Sequence, residues 1–522
     1  MGNKGSACGA VCGNCKIRGV TRRQTEDNTA DDRDTGGAAA MLATAWSAVK
    51  DDARTDRTLT ALAEAFTSRG HALYLVGGSV RDALLGRLTP DADFDLDFTT
   101  DARPDVVTTI LDDVAETVWD TGIEFGTVSA MFHGLTVEIT TFRADAYDGA
   151  SRNPEVTFGD TLDGDLVRRD FRCNAIALEL SADGDHELRD PLDGLDDLVA
   201  GVLDTPAAPE QSFHDDPLRM LRACRFAAQL GFTVADRVRT AMTGMADQIT
   251  RITAERVATE LNKLMLGAEP WTGLDMMVDT GLADHVLPEL PALKLTQDEH
   301  RQHKDVYAHS LQVLRNATGL ERRLGDEVPD ETRLVLRWAA LLHDIGKPDT
   351  REFTDTGAVT FHHHEVVGAR MARRRLKALK YPKRQIQDIG QLVFLHMRFH
   401  GYGDGAWTDS AVRRYVADAG DLLPQLQVIV RADCTTRNRR KAGRLQRAVE
   451  DLDTRIVELK EQEDLDAVRP DLDGNEIMTV LGLPPGPAVG KAWAFLKELR
   501  LDRGPMDRDE AIAELKRWWE TQ

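Results

Sequence analysis

Three scarcities frame this chain before any motif does. Cysteine is scarce, with six in 522 residues. Only Cys8, Cys12 and Cys15 lie close together, which does not resemble a disulfide framework and points to a reducing compartment, the cytoplasm. That trio has metal-like spacing but no nearby fourth ligand, which a structural zinc site normally needs. Long apolar runs are missing: no stretch is long enough to cross a bilayer, and the N-terminus opens polar and glycine-rich rather than as a secretory signal. Positive charge is in deficit, with 65 Lys and Arg against 87 Asp and Glu, a net −22. The average surface therefore repels phosphate, which excludes indiscriminate nucleic-acid binding. Two local exceptions stand out. Arg370 to Arg384 (RMARRRLKALKYPKR) holds eight basic residues and no acid, and Arg437 to Arg444 (RNRRKAGR) is similarly one-sided. Each can be read as a solvated helix face or as an RNA-facing patch.

What is present is ample core material. With 42% apolar residues in 522, the chain is globular and too long for one core, so it divides into several domains. Residues 1–40 are polar and aperiodic, the composition of disorder. From 41 to 206 helices and strands alternate, predicting an α+β domain with a small mixed sheet. Its expected elements include a helix over Leu59–Ser68, a strand over Leu73–Val76, a helix over Pro104–Val114, and a hairpin of Gly126–Phe132 and Leu135–Phe142 turning at His133-Gly134. From 207 onward strand signals nearly vanish. Helical blocks are expected over 207–290, 291–450 and 451–522, separated by breaks at Leu287–Pro291 and Arg469–Gly474.

The chemistry starts in the stretch from Leu73 to Asp97. An apolar strand runs into the paired glycines Gly77 and Gly78, then into a helix, then into a second strand carrying Asp95 and Asp97. Residues i and i+2 of a strand share a face, so both carboxylates can reach one cation, and an oxygen-only pair suits Mg²⁺. The glycine turn lets backbone N–H groups approach an anion at a helix N-terminus. A phosphate cradle beside a carboxylate metal site is what phosphoryl or nucleotidyl transfer requires.

Later segments supply matching parts. Glu138, on an alternating strand, becomes a third carboxylate if that strand neighbours the one bearing Asp95 and Asp97. Arg168 and Arg169 offer doubled positive charge to a triphosphate. Asp170 is placed to orient one of them, and Asn174 to bond a sugar or phosphate. In FHDDPLRMLRACRF, Asp215 and Asp216 are expected at the positive end of a helix opened by Pro217. Arg219, Arg222 and Arg225 recur every three residues as one polar stripe.

Taken in order, GGSVRD, DFDLDF, RRDFRCNAIA, DPLDG, DDPLRMLRACRF and ITAERVATEL resemble the motifs of class II tRNA nucleotidyltransferases, the CCA-adding members of the polymerase β superfamily. The likeness covers about 73 to 267. It implies a nucleotidyltransferase head in which Asp95 and Asp97 bind Mg²⁺ with Glu138 as the third carboxylate. It also implies that Gly77, Gly78, Arg81 and Asp82 shape the triphosphate site beside Arg168 and Arg169. Asp216 and Arg219 match the pair that reads the base of CTP or ATP. The residue before that pair is often Glu in the family and is Asp215 here. Arg251, Glu255 and Arg256 match the motif that braces the nucleotide-reading helix in the neck. Tyr147–Pro154 resembles the flexible loop associated with A addition, which favours full CCA addition.

A second constellation follows. HKDVYAHSL, WAALLHDIGKP, FHHHEVVGARM, LVFLHMRFH and VIVRADCTT bring histidines and aspartates to successive helix ends, a composition suited to a transition metal or Mg²⁺. The segment from about Val306 to Thr436 resembles the HD phosphohydrolases. The resemblance implies His309, His343, Asp344 and Asp433 around one metal, with His303 competing for the place of His309. His364 and His396 would serve a second metal. A metal-bound hydroxide would there attack a phosphate ester such as a 2′,3′-cyclic phosphate or a 2′-phosphate.

The reading is thus a multidomain α+β enzyme: head, helical neck, HD-type helical domain, and a helical tail whose LDGNEIMTVLGLPPGPAVGKA resembles a tRNA-binding tail. It would use CTP and ATP on tRNA, with Mg²⁺ and no membrane attachment. Two rivals remain: a bacterial poly(A) polymerase, and an HD phosphohydrolase whose head only binds RNA.

Overall fold

The computed structural model describes residues 16–18, 52–87, 96–143, 158–184, 186–295, 306–355, 359–402, 407–434, 439–463 and 469–522. The chain forms two compact units, Met1–Arg251 and Ile252–Gln522. The division falls inside the 207–290 helical block. Asp95, the Tyr147–Pro154 loop, His303 and the Cys8, Cys12, Cys15 trio lie outside the described residues.

The first unit is built on a mixed sheet of β1 (Lys16–Arg18), β2 (Leu73–Val76), β3 (Leu96–Thr100), β4 (Thr117–Trp119), β5 (Thr127–Phe132), β6 (Leu135–Thr141), β7 (Ala177–Glu179) and β8 (Glu187–Arg189). Their order is β1-β8-β7-β2-β3-β6-β5-β4. Most neighbours are antiparallel, but β3 and β6 run parallel. The expected hairpin is β5–β6, and both turn residues take positive φ, His133 at 51° and Gly134 at 81°, matching the twist of the flanking strands. Strand β1 lies in the segment whose composition suggested disorder. A sheet edge offers unpaired backbone groups to a passing strand, and β8 pairs with Lys16–Arg18 in parallel.

Strand alternation separates the two faces of this sheet. Leu73, Leu75, Leu96, Phe98, Val137 and Ile139 are all buried, and α1 (Ala53–Thr67) and α3 (Pro104–Asp112) supply buried apolar residues of their own. Helix α1 starts earlier than periodicity suggests because Asp52 caps it, accepting from the Arg54 N–H at 3.2 Å. The other face carries Asp97, Thr99, Glu138, Thr140, Thr127 and Ser129, which are paired in register. Short α2 (Gly78–Leu84) follows β2, α4 (Leu162–Val167) precedes the double arginine, and α5 (Pro209–Asp215) and α6 (Leu218–Leu230) follow the sheet.

The second unit is helical, apart from one two-residue hairpin, Glu352–Phe353 with Val359–Thr360, among its described residues. It includes α7 (Ala254–Met265), α8 (Val306–Leu320), α9 (Asp330–Leu342), α10 (His364–Ala378), α11 (Lys383–Leu395), α12 (Leu423–Asp433) and α13 (Arg439–Gln462). Buried Arg337 on α9 ties two segments together. Its guanidinium donates to the carbonyls of Met265 and Gly267 and forks onto Glu321 at 2.5 and 2.8 Å. The tail is α14 (Gly474–Leu481), α15 (Pro487–Arg503) and α16 (Arg508–Trp519), closed around Ile477, Leu496 and Leu515. A capping box between Asp473 and Glu476 starts α14, beside the expected break. The α+β class with a small mixed sheet and helical remainder is as expected.

Candidate functional site

In the first unit the parallel register sets Asp97 directly opposite Glu138, with Ser129 next across β6. Directly paired residues point to the same face, so these two carboxylates stand side by side although 41 residues apart. Gly77 closes the near end. At φ 78° and ψ −139° it occupies a conformation open essentially to glycine. A Cβ there would sit 3.6 Å from Asp97 Oδ2 and 3.7 Å from Arg169 Nη1, inside the space between carboxylate and guanidinium. Oxygen donors on one side and a cation on the other fit a hard divalent ion with a bound polyphosphate.

The arginines are held by a residue that sequence reasoning missed. Asp165 is fully buried. Its Oδ1 accepts from Arg168 Nε and Nη2 at 2.9 and 2.7 Å and from the Arg143 N–H at 3.2 Å. Its Oδ2 accepts from Arg169 Nη2 at 3.1 Å and Thr99 Oγ1 at 3.2 Å. Burial alone would raise its pKa, but the charges of Arg169 and Arg168 bring it below the ordinary carboxylate value. The available signal was spacing, since an acid three and four residues before a double arginine meets both on a helical turn.

Asp170 therefore does not orient Arg168 or Arg169. It turns into the interior, where Arg222 forks onto it at 2.8 and 2.5 Å and Asn174 Nδ2 donates at 3.0 Å. Burial opposes its ionisation, yet the Arg222 charge and these hydrogen bonds hold its carboxyl far below the usual range. Asn174 is likewise engaged at both ends, its Oδ1 accepting from Arg81 Nη1 at 2.7 Å. It thus ties Asp170 to Arg81. Arg81 also forks onto Asp82 at 2.8 Å through each nitrogen. These residues form a buried lattice beneath the site.

The expected single stripe of Arg219, Arg222 and Arg225 is divided. Three-residue steps drift by about 60° each around a helix of 3.6 residues per turn, so the three face different neighbours. Arg219 reaches Ser212 Oγ at 2.8 Å and the Arg168 carbonyl. Arg222 holds Asp170, and Arg225 is buried with its guanidinium 4.1 Å from the Phe226 ring centre. The two aspartates also part. Asp215 ends α5, whereas Asp216 is extended between α5 and α6 and its Oδ1 accepts from the Leu218 N–H at 3.1 Å. Arg251 Nη1 donates to the His214 carbonyl at 3.1 Å, bracing α5. Arg219 thus links α5 and α6 to the carbonyl of Arg168.

In the second unit six side chains converge in two groups, His309, His343 and Asp433, and Asp344, His364 and His396. Asp344 falls with His364 and His396 rather than with the first group, which alters the expected four-plus-two division, and its two oxygens face different histidines. Its Oδ2 lies 3.1 Å from His343 Nε2 and 3.6 Å from His309 Nε2, while its Oδ1 lies 3.3 Å from His364 Nε2 and 3.9 Å from His396 Nε2. His309 Nε2 is also 2.9 Å from Asp433 Oδ1.

Local folding presets three of these imidazoles. His343 Nδ1 lies 2.9 Å from the Ala340 carbonyl, His364 Nδ1 2.9 Å from that of Phe361, and His396 Nδ1 2.6 Å from that of Val393. A carbonyl can only accept, so each of these Nδ1 atoms donates and each Nε2 is turned inward toward the cluster. The Nε2 atoms of His364 and His396 lie 3.3 Å apart, and with Asp344 they form a group able to hold one metal ion. Burial, with the neighbouring His343, pushes the His396 pKa down to about 3, which keeps it a neutral donor. Gly346 makes the HDIG turn fit: a Cβ there would overlap the His364 carbonyl and lie 2.6 Å from the Gly368 nitrogen. The donor set of imidazole nitrogens and carboxylate oxygens fits a divalent metal ion.

Comparison with known proteins agrees with this anatomy. The model of the poly A polymerase head domain matches residues 73–204, that of a probable RNA and SrmB- binding site of polymerase A matches 231–293, and that of the HD domain matches 306–438. The A-adding tRNA nucleotidyltransferase of Deinococcus radiodurans is 34% identical over 457 residues, covering 85% of this chain and 95% of that one. The CCA-adding enzyme of Levilactobacillus brevis is 42% identical over 214 residues, 41% of this chain and 51% of that one. The crystal structure of the Bacillus stearothermophilus CCA-adding enzyme in complex with CTP aligns with a TM-score of 0.60 at 25% identity, covering 88% of this chain and 97% of that one. The chain belongs to the family of tRNA nucleotidyltransferases.

Proposed function

We propose that this enzyme adds CCA to the 3′ end of tRNA without a nucleic-acid template, using CTP and ATP. The observation that carries the reading is the pairing of Asp97 with Glu138 on a face bounded by Gly77 and Arg169. In this reading residues 41–206 are the catalytic head, 207–290 the nucleotide-reading neck, 291–450 the HD domain and 451–522 a tRNA-binding tail. The protein works in the cytoplasm, where its tRNA substrate is found.

Each residue has a task in that reaction. Asp97 and Glu138, with Asp95 beside them in sequence, would hold Mg²⁺. That ion would supply charge neutralisation of the triphosphate and acidification of the attacking tRNA 3′-hydroxyl. Arg168 and Arg169, fixed by Asp165, take the triphosphate oxygens and keep them in line for displacement of pyrophosphate. Gly77 and Gly78 let the chain approach that anion closely, and Arg81 and Asp82 stiffen the turn. Asp216 and Arg219 present an acceptor and a donor to the base edge, and Arg222 and Arg225 hold their helix from beneath.

The deciding experiment is incubation of tRNA lacking its 3′ end with Mg²⁺ and CTP, ATP or both. Ordered CCA addition that then stops supports the proposal, and an open-ended A tail makes the enzyme a poly(A) polymerase instead. A second reading, addition of the terminal A alone, is favoured by the wide match to the Deinococcus enzyme. It predicts activity on tRNA already ending in CC and none on tRNA lacking both cytidines.

The HD centre supports a second activity, phosphohydrolysis of a ribose phosphate ester such as a 2′,3′-cyclic phosphate or 2′-phosphate. His309, His343, Asp433, His364, His396 and Asp344 would hold Mg²⁺ or a transition metal there, which supplies an activated hydroxide. Lys347, with Nζ 2.9 Å from Asp344 Oδ2, keeps a positive charge at the rim for the phosphate. No hydrolysis of such esters with any divalent metal would remove this second activity and leave the first untouched.

A further inference from the structure

The outer face of α10 serves neither site. Its inner face is buried through Gly368, Ala369, Ala372 and Leu376. Outward, Arg370, Arg374 and Lys377 are exposed at i, i+4 and i+7, and the ribbon continues through exposed Lys380 and Lys383. Helix rise puts the first three about 6 Å and about 4.5 Å apart along the axis, a spacing that neighbouring phosphates of one strand can follow.

Three observations distinguish this ribbon from an ordinary solvated face. No acid occurs from Val366 to Gln387, although 87 of the 522 residues are acidic. Solvated helices in this protein do interleave charges, as where Arg517 pairs with Glu514 three residues away. The acids that approach the segment take its flanks: Glu289 binds Arg375 at 2.8 Å, and Asp388 lies 3.6 Å from Arg384. Among the described residues no ion pair engages the five ribbon cations. Lastly, Lys383 and Arg384 open α11, where the helix dipole disfavours positive charge. A face that needed only solubility would place acids there.

We propose that Arg370, Arg374, Lys377, Lys380 and Lys383 form a docking surface for the phosphate backbone of the tRNA substrate. This rests on the tRNA nucleotidyltransferase reading and extends substrate binding onto the HD domain. On a chain of net charge −22, a local cationic ribbon is what lets a polyanion approach a particular face. The ribbon meets backbone only, so it positions the RNA without reading its sequence.

The test uses the full chain and intact tRNA. In the variant R370Q/R374Q/K377Q/K383Q, tRNA affinity measured by filter binding at low salt falls at least tenfold. The slope of log affinity against log salt becomes shallower by about 0.7 to 0.9 for each phosphate the protein no longer neutralises. The KM for tRNA rises in parallel, while the KM values for CTP and ATP stay unchanged. The charge-retaining variant R370K/R374K binds like wild type. Unaltered affinity and salt slope in the glutamine variant overturn the docking surface and make the ribbon a solvated face. A fall in affinity with no change in slope also overturns it, because the ribbon then neutralises no phosphate. Failure of the parent reading looks different: the wild type would incorporate no nucleotide into tRNA at all.

Discussion

The head site and the HD centre handle charge in opposite ways. In the head, buried carboxylates hold cations in place: Asp165 fixes Arg168 and Arg169, and Asp170 fixes Arg222. In the HD centre, backbone carbonyls hold imidazoles in place, at His343, His364 and His396. The first arrangement offers excess positive charge to a polyanion. The second gathers imidazoles around the carboxylates of Asp344 and Asp433, a donor set able to hold a metal ion. The two regions are thus ordered by different means, one by a salt-bridge lattice and one by hydrogen bonds from imidazole to backbone.

The contrast can be broken most sharply at the head carboxylates. Asp97→Asn should lower nucleotide incorporation about a thousandfold, at the upper end for loss of one charge-stabilising group, while metal binding at the HD centre stays intact. Radiolabelled CTP and ATP incorporation and metal analysis of the same preparation measure both, and joint loss would mean a disrupted fold. The complementary change is Asp344→Ala, which removes a carboxylate whose two oxygens face different histidines. It should abolish metal retention at the HD centre, read by elemental analysis after dialysis, with incorporation into tRNA within about twofold of wild type.

The lattice beneath the head site makes a further difference. Asp170→Asn leaves Arg222 without its countercharge and should destabilise the protein by about 3 kcal/mol at neutral pH, the scale for breaking a buried pair. The folded pKa of Asp170 lies below its ordinary value of 3.8. Its stabilisation is therefore complete above that value and lost as pH falls through the depressed folded pKa. Denaturant melts should show a constant gap between variant and wild type from neutral pH to about 5, narrowing below about 4; a gap that widens in acid would refute the assignment. The smallest effect is expected at Asp165. Asp165→Asn should raise the KM for CTP and ATP about tenfold through loosened arginines, an effect of about 1.4 kcal/mol. Asp165→Glu should recover part of it, and an equal fall in kcat with KM unchanged would deny the positioning role.

The two regions also differed in how readily they could be read. The HD residues were legible because each sits in a local signature at a helix end, and three of them repeat one i−3 contact with the backbone. Only the grouping of Asp344 with His364 and His396 was hidden, since it depends on where five helices meet. In the head, the carboxylates were visible as types but their partners were not. Glu138 could be proposed only on the condition that two strands were neighbours, and β3 against β6 met that condition through a crossover. Asp170 was expected to orient one of the paired arginines, yet the chain there turns inward, where Arg222 from α6 takes Asp170 and Arg81 from α2 bonds Asn174.

By itself the sequence determined the inventory and the local geometry: glycine where φ must be positive at Gly77, a hairpin at His133-Gly134, apolar alternation that buries one face of β6, and histidines at helix ends. These follow from steric limits and periodicity acting over a few residues. Only the tertiary structure decided which charges meet. Asp97 faces Glu138 because parallel register pairs them, Asp165 rather than Asp170 governs the arginine pair, and Asp344 falls with His364 and His396. The physical reason is that a hydrogen-bonded ion pair needs its atoms within about 3 Å, so each partner is set by packing and not by distance along the chain.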